Sequence, residues 1–249
     1  MLLAVATFSQ SNSDPFKEKT TGKGVIYNTE MVANIGKQTR GFFIGGAYGK
    51  IKTYYLTRYF AFSLGELKHH KEYKTNLDNI GTSFYNTRPV IIGKQNNLYN
   101  LRLCIGEKRY FSEKDNYKGV AVGIDYNFGF NLGMLKPYYI TLNHEGGVSG
   151  TDVKYSEEIE EYFLNPQSII GAARWTKGFS ELSVIPGLTL KTAVHIDWGA
   201  YDEFVKAMEA GIMVDYFFKQ APVMVEQEGS ENKAFFVNLF LNLQLGKRK

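Results

Sequence analysis

The chain has 249 residues, 44% of them hydrophobic and 15% aromatic, with 25 Gly against 6 Pro, a balance that suits strands and turns better than long helices. Its net charge of +4, with no run of three Lys or Arg residues other than the terminal Lys247-Arg248-Lys249, gives nucleic-acid binding little basis. One cysteine, Cys104, excludes an internal disulfide framework and a cysteine-based zinc site.

The chain opens "MLLAVATFSQ", where Leu2 to Phe8 form an apolar run too short to cross a bilayer as a helix. It reads either as the end of an export signal over residues 1–9, cleaved between Ser9 and Gln10 but without the positively charged start of one, or as simply an apolar N-terminus. Nowhere do 18 apolar residues run together, so no membrane-spanning helix is expected.

Period-two alternation then recurs eight times, the signature of half-buried strands. Residues 24–35 set Met31, Ala33 and Ile35 against Glu30, Val32 and Asn34. A Gly-rich strand follows at 40–50, a tight turn near Lys50, and a third strand at 52–67. Segment 97–111 opposes Tyr99, Leu101, Leu103 and Ile105 to Asn100, Arg102, Cys104 and Lys108. The clearest alternation is "GVAVGIDYNFGFNLG" at 119–133, with Val122 to Leu132 on one face and Ala121, Gly123, Asp125 and Asn127 on the other. It is extended to about residue 142, with a bulge or strand edge at Pro137. Residues 187–198 place Lys191, His195 and Asp197 on one face, 204–218 place Glu209 and Asp215 there, and 235–249 make the eighth strand. Eight antiparallel strands are enough to close an up-and-down barrel.

The connections at 68–96, 143–182 and 219–231 are long, whereas those near Lys50, at "SEKDNYKG" and at "GAYDE" are short. Successive connections of a meander alternate between the two ends, so the long ones share one end and the short ones share the other with both termini. Membrane barrels have this asymmetry. The polar face carries small or uncharged residues over long runs, with sparse charges of mixed sign, and a soluble barrel would need charge there. A narrow lumen filled by a polar network of Glu30, Arg102, Lys108, Asp125, Lys191, His195, Asp197, Glu209 and Asp215 is expected instead. Aromatic groups near the strand ends (Tyr54-Tyr55, Tyr110-Phe111, Tyr117, Trp198 and Tyr201 at one end; Phe42-Phe43, Tyr138-Tyr139, Tyr216-Phe217-Phe218 and Phe235-Phe236 at the other) read as two interfacial bands. Arg58 breaks the pattern by falling on the apolar face, either reaching the interface or marking a bulge.

With "FSQ" at its start, "GVAVGIDYNFGFNLG", "AFFVNLFLNLQLG" and the blocks "GKQNNLYNLRLCIGEKRYFSE" and "KGVAVG…LKPYY", the chain resembles small uncharacterised outer-membrane β-barrels of the Bacteroidota. The resemblance covers most of 22–247. It departs in its last residues, Leu245 to Lys249, where such barrels often end on an aromatic residue read by the assembly machinery. It implies an all-β, eight-stranded antiparallel up-and-down transmembrane barrel over 22–249, with three long extracellular loops. A periplasmic segment at 10–21 precedes it, and both termini are periplasmic in a bacterial outer membrane.

Chemistry has little footing. His195 with Asp197, His69-His70 beside Glu66 and Glu72, and His144-Glu145 are the available clusters, and a filled polar lumen or plain loop polarity accounts for each. No catalytic, cofactor-binding or metal-ligating residues are assigned, and eight strands leave no room for a general pore. The loops carry more information. "KYSEEIEEYFLNP" reads as a short helix capped by Ser156 and ended by Pro166, with Ile159, Tyr162 and Phe163 on one face. Val90, Ile91 and Ile92 form a second apolar patch, and either patch would dock a partner or fold over the barrel mouth. A non-enzymatic barrel is expected, in contact with outer-membrane lipid and serving as a structural or accessory subunit of an envelope complex of the secretion or barrel-assembly type. A lipid-modifying enzyme of the lipid A acyl hydrolase or transferase type, and a soluble ligand-binding barrel, are the alternatives.

Overall fold

The computed structural model describes residues 27–76, 88–111, 120–143, 150–198, 203–226 and 232–249. The export signal, the segment at 10–21, the turn "SEKDNYKG", Tyr117, Tyr201 and His144-Glu145 therefore lie outside the described residues. Eight strands close a barrel: β1 (Thr29–Gln38), β2 (Gly41–Thr53), β3 (Leu56–Leu67), β4 (Asn96–Tyr110), β5 (Ala121–Pro137), β9 (Ser183–Asp197), β10 (Phe204–Phe217) and β11 (Phe235–Arg248). Between β5 and β9 lie β6 (Tyr139–Leu142), β7 (Thr151–Lys154), the helix α1 (Glu160–Leu164) and β8 (Ile169–Ala172), and β6 pairs with both β7 and β8 in a separate small sheet.

Every neighbouring pair in the barrel is antiparallel, and β1 closes on β11. The stagger can be followed residue by residue. Thr29 faces Lys50, Lys50 faces Arg58, and the path continues through Glu107, Tyr126, Thr192, Ile212 and Leu239. It returns to β1 at Thr39, whose N–H donates to the Leu239 carbonyl at 2.8 Å. The ladder thus closes ten residues further along the first strand. With eight strands at ordinary spacing, this shear tilts them about 40° from the barrel axis. The interior of such a barrel is narrow enough for side chains to fill.

Strand boundaries differ from the sequence pattern where long-range pairing overrides it. β2 runs past Lys50 to Thr53, so the turn falls at Tyr54-Tyr55 after a register shift between Ile51 and Thr53. β5 stops at Pro137, and 139–142 leaves the barrel to pair in the small sheet. β9 begins four residues earlier than its alternation indicates and includes Pro186. Pro186 sits at the end of the strand's pairing with β10, where its carbonyl still accepts from the Phe218 N–H at 3.0 Å and only the last return bond is missing. The chain from 157 to 164 forms a 3-10 turn running into α1, and the Ser156 side chain makes no capping bond.

Each strand sends alternate side chains in and out, so an adjacent aromatic pair cannot face outward together. Phe42, Phe111, Tyr216 and Phe235 are exposed. Their neighbours Phe43, Phe217 and Phe236 are buried inside, and Tyr110 bonds to inward-facing groups. The interfacial bands are thinner than the sequence implies for this reason. The terminal Lys-Arg-Lys is likewise part of the barrel: Lys247 pairs outward with Glu203, Arg248 is buried, and Lys249 bonds to Thr29 through its backbone.

Candidate functional site

The lumen is layered. Near the end that holds the short turns and the strand termini, Lys108 donates to Glu30 at 2.8 Å, and Arg248 bonds Glu30 at 2.9 Å and Asp197 at 2.6 Å. The Tyr110 hydroxyl lies 3.2 Å from His195 Nε2 and 3.3 Å from Asp197. Nδ1 of His195 lies 3.0 Å from Glu209. Glu209 also accepts from Lys191, Gln244 and Asn242, and Lys191 reaches Asp125 at 3.4 Å. Tyr59 donates to the other side of this network, to Asp125 at 2.8 Å. Four carboxylates thus meet Lys108, Lys191, Arg248 and His195 in one continuous set of bonds. Buried charge is tolerable only when it is paired and its remaining lone pairs are filled, as they are around Glu209.

A second polar layer sits toward the other end. Arg102 holds Asp215 with two bonds, at 2.9 and 2.6 Å, and Asn131 donates to Asp215 at 2.8 Å. Between the two layers Phe43, Ala193, Met213 and Phe240 pack as an apolar disc, with the Phe43 and Phe240 ring centroids 6.0 Å apart. Along β10 the order is Asp215, Met213, Gly211, Glu209, which shows the sandwich within one strand. All nine polar residues assigned to the lumen from sequence point inward, and eight are buried, with the Lys191 side chain 12% exposed.

The loop end is closed by its own connections. Ile91, Ala221, Val223 and Met224 pack onto Leu67, Leu98, Leu135, Ile185, Phe217 and Phe236 from the strand ends. Asn232 fixes one of these loops, accepting from the N–H groups of Val223 and Met224 and donating to the Met224 carbonyl. Above that layer a second apolar core joins Val90, Ile140, Phe163, Ile169 and Val225, with Ile92 and Ile159 against it. Of the six residues offered as partner contacts, Val90, Ile91 and Phe163 are buried and Ile92 and Ile159 are partly covered. Tyr162 alone stays open, at 58% exposure. Apolar loop residues as far apart in the chain as Val90 and Phe163 satisfy one another, which removes the need for a partner to cover them.

The outer wall is the inverse of the lumen. Every strand contributes exposed apolar side chains, among them Ile35, Ile44, Phe62, Ile105, Phe128, Leu190, Ile212 and Leu241. Among the described residues, outward charges fall near the strand ends, with Lys37 and Glu66 toward the loops and Lys50, Arg58, Glu107, Lys206 and Lys247 toward the short turns. Arg58 keeps regular register with both neighbours and pairs with Glu107 at 2.7 Å, so no bulge explains it.

The described histidines, His69, His70 and His195, are engaged in packing or bonding. His195 is fully buried, and its hydrogen-bond partners among the described residues are Glu209 and Tyr110, with no serine or cysteine in the set. The His69 ring lies tilted against that of His70, with centroids 4.1 Å apart, while Glu72 accepts from the His69 N–H and binds Lys94. Among the described residues no three His, Cys, Asp or Glu side chains gather in a metal-binding arrangement, and no helix is long and apolar enough to cross a membrane.

No protein-family model and no curated protein matches the chain. Among solved structures it is similar to neisserial surface protein A (11% identity, 90% of this chain and 97% of that one, TM-score 0.42). It is also similar to the N-terminal β-barrel domain of Pseudomonas aeruginosa OprF (10% identity, 88% and 97%, TM-score 0.34) and to the attachment invasion locus protein Ail of Yersinia pestis (7% identity, 89% and 95%, TM-score 0.36).

Proposed function

We propose that this chain is an integral barrel protein of a bacterial outer membrane, with no catalytic role, serving as a structural or accessory subunit of an envelope complex. The observation that carries the membrane reading is the apolar outer wall. It involves all eight strands, leaves Ile105 68% and Leu239 63% exposed, and gives way to charge near the strand ends. An apolar surface of that extent is unstable against water and matched to hydrocarbon. The short turns and both termini then lie on the periplasmic side, and the packed loops lie outside.

The non-enzymatic part rests on the lumen. His195 has no serine or cysteine bonded to it among the described residues, and the apolar disc separates its layer from the loop end. A sealed barrel with its loop patches folded inward leaves the lipid-facing wall and the outermost loop surface for partner contact. Extraction from membranes in mild detergent, followed by mass analysis of stoichiometric co-purifying proteins, tests the subunit role. A barrel that purifies alone and modifies lipid A would overturn it, and recovery in the aqueous fraction without detergent would overturn the membrane reading.

A further inference from the structure

At the loop end, between the barrel mouth and the small sheet, lies a cavity of about 440 Å³, within the size range that takes a small ligand. Six basic side chains line it, against two acidic ones, Glu66 and Glu72. Lys68 pairs with Glu66, Lys94 with Glu72 and Lys177 with Asp152. Lys74, Lys136 and Arg174 have no carboxylate partner among the described residues.

Lys136 is the informative member. It is 2% exposed, donates to the Trp175 carbonyl, and lies 4.8 Å from the centre of the Trp175 ring and 4.5 Å from that of Phe179. A carbonyl and two ring faces stabilise an ammonium only in part, and burying one without a counter-charge costs several kcal/mol in general. The neighbouring buried pair Lys94–Glu72 is already neutral, so it supplies no spare negative charge.

Ring faces accompany the charge. Trp175 is 64% exposed and lines the cavity with Tyr99, Tyr138 and Tyr139. The indole N–H of Trp175 donates to the Tyr99 hydroxyl at 3.1 Å, which fixes the ring at the cavity wall. Flat aromatic faces beside hydroxyl and amide groups suit a polyhydroxylated ring, and the surplus of cations suits a negative group on it.

We propose that this cavity binds an acidic saccharide unit, a sugar ring carrying a carboxylate or a phosphate, with the negative group at Lys136 and the ring against Trp175. The inference goes beyond the membrane and subunit readings and stands apart from them, because it concerns only the loop end.

The chain holds two tryptophans, so a Trp198→Phe background leaves Trp175 as the sole indole reporter. The purified full-length barrel in detergent is titrated with glucuronate, glucose 6-phosphate, glucose and inorganic phosphate. A saturable fluorescence change is expected with the first two, with neutral glucose about tenfold or more weaker, because one charge-assisted bond to Lys136 is lost. Lys136→Met is expected to weaken the acidic sugars by about the same factor, with calorimetry as a second readout and unchanged heat-resistant gel mobility as the control for folding. Equal binding of glucose, undiminished binding in Lys136→Met, or no saturation by about 10 mM would each overturn the proposal. Inorganic phosphate binding as tightly as glucose 6-phosphate would overturn the part played by the ring. Should Lys136→Met fail to fold, Lys136→Gln in the same titration replaces it, with the same expected weakening and the same overturning result.

Discussion

Arg248, next to last in the chain, donates to Glu30 in the first strand across the barrel seam at 2.9 Å, and the same guanidinium reaches Asp197 at 2.6 Å. Backbone pairing of β1 with β11 closes the cylinder, and this side chain ties the closure to a third strand, β9. Replacing Arg248 with Met leaves two buried carboxylates short of a partner, which costs about 3–5 kcal/mol. The expected outcome is a lower unfolding midpoint in urea, followed by loss of heat-resistant gel mobility. Adding Glu30→Gln should recover part of the loss, because one stranded charge is removed. A double variant no better than Arg248→Met would show that the pairing is energetically idle.

Gly36 faces Phe43 across the β1–β2 ladder, and a methyl group at Gly36 would come within 2.2 Å of the Phe43 ring. The ring fills space that only glycine leaves open. Gly36→Ala should therefore destabilise the barrel by about 1–3 kcal/mol through overpacking. Combining it with Phe43→Leu should restore much of that. The same urea titration checks both.

Phe240 is the large side chain of β11 within the apolar disc. Phe240→Ala should cost about 3–5 kcal/mol if the disc is a packed layer. Single-channel recording provides a separate check on the seal: the native barrel is expected to give no steady conductance in a planar bilayer, since both polar layers are internally paired.

The wall itself can be tested by charge. Phe128, midway along β5 and 52% exposed, lies within the apolar surface. Phe128→Arg is expected to cost about 2–4 kcal/mol in a lipid bilayer, while Lys206→Arg near the short turns should be close to neutral. Equal effects at the two sites, measured by folding into vesicles, would count against a lipid-facing wall.

The small sheet has its own pH dependence. Burial opposes ionisation of Asp152, but hydrogen bonds from Lys177 and Thr141 outweigh it and hold the carboxyl below its ordinary 3.8. Bonds from Lys154 and Tyr139 hold Glu181 below 4.5. For carboxyls depressed by folding, the stabilisation is present above the ordinary values and is lost as pH falls through the folded ones. Hydrogen exchange in 150–182 should accordingly be unchanged from neutral pH down to about pH 5 and rise below about pH 4. Barrel strands serve as the internal reference, and Asp152→Asn should flatten the rise.

Alternation alone identified the eight strands and the inward direction of Glu30, Arg102, Lys108 and their partners, because side-chain direction in a strand follows from position along it. The parity of the connections also placed the three long loops at one end. Partner choice was not legible: Lys108 meets Glu30 from 78 positions away and Arg102 meets Asp215 from 113, distances that only the ten-residue stagger of the closed sheet brings together. The loops show the same division. Whether the patches at Val90 and Phe163 dock a partner or fold over the mouth is not legible locally, because neither segment by itself shows what it buries against. Closure of the barrel brings both loops and Val225 to one mouth, where they bury one another, and it puts Lys136 beneath Trp175 at the edge of a basic cavity. Local pattern determined which way each side chain faces, and the tertiary structure decided what it meets there.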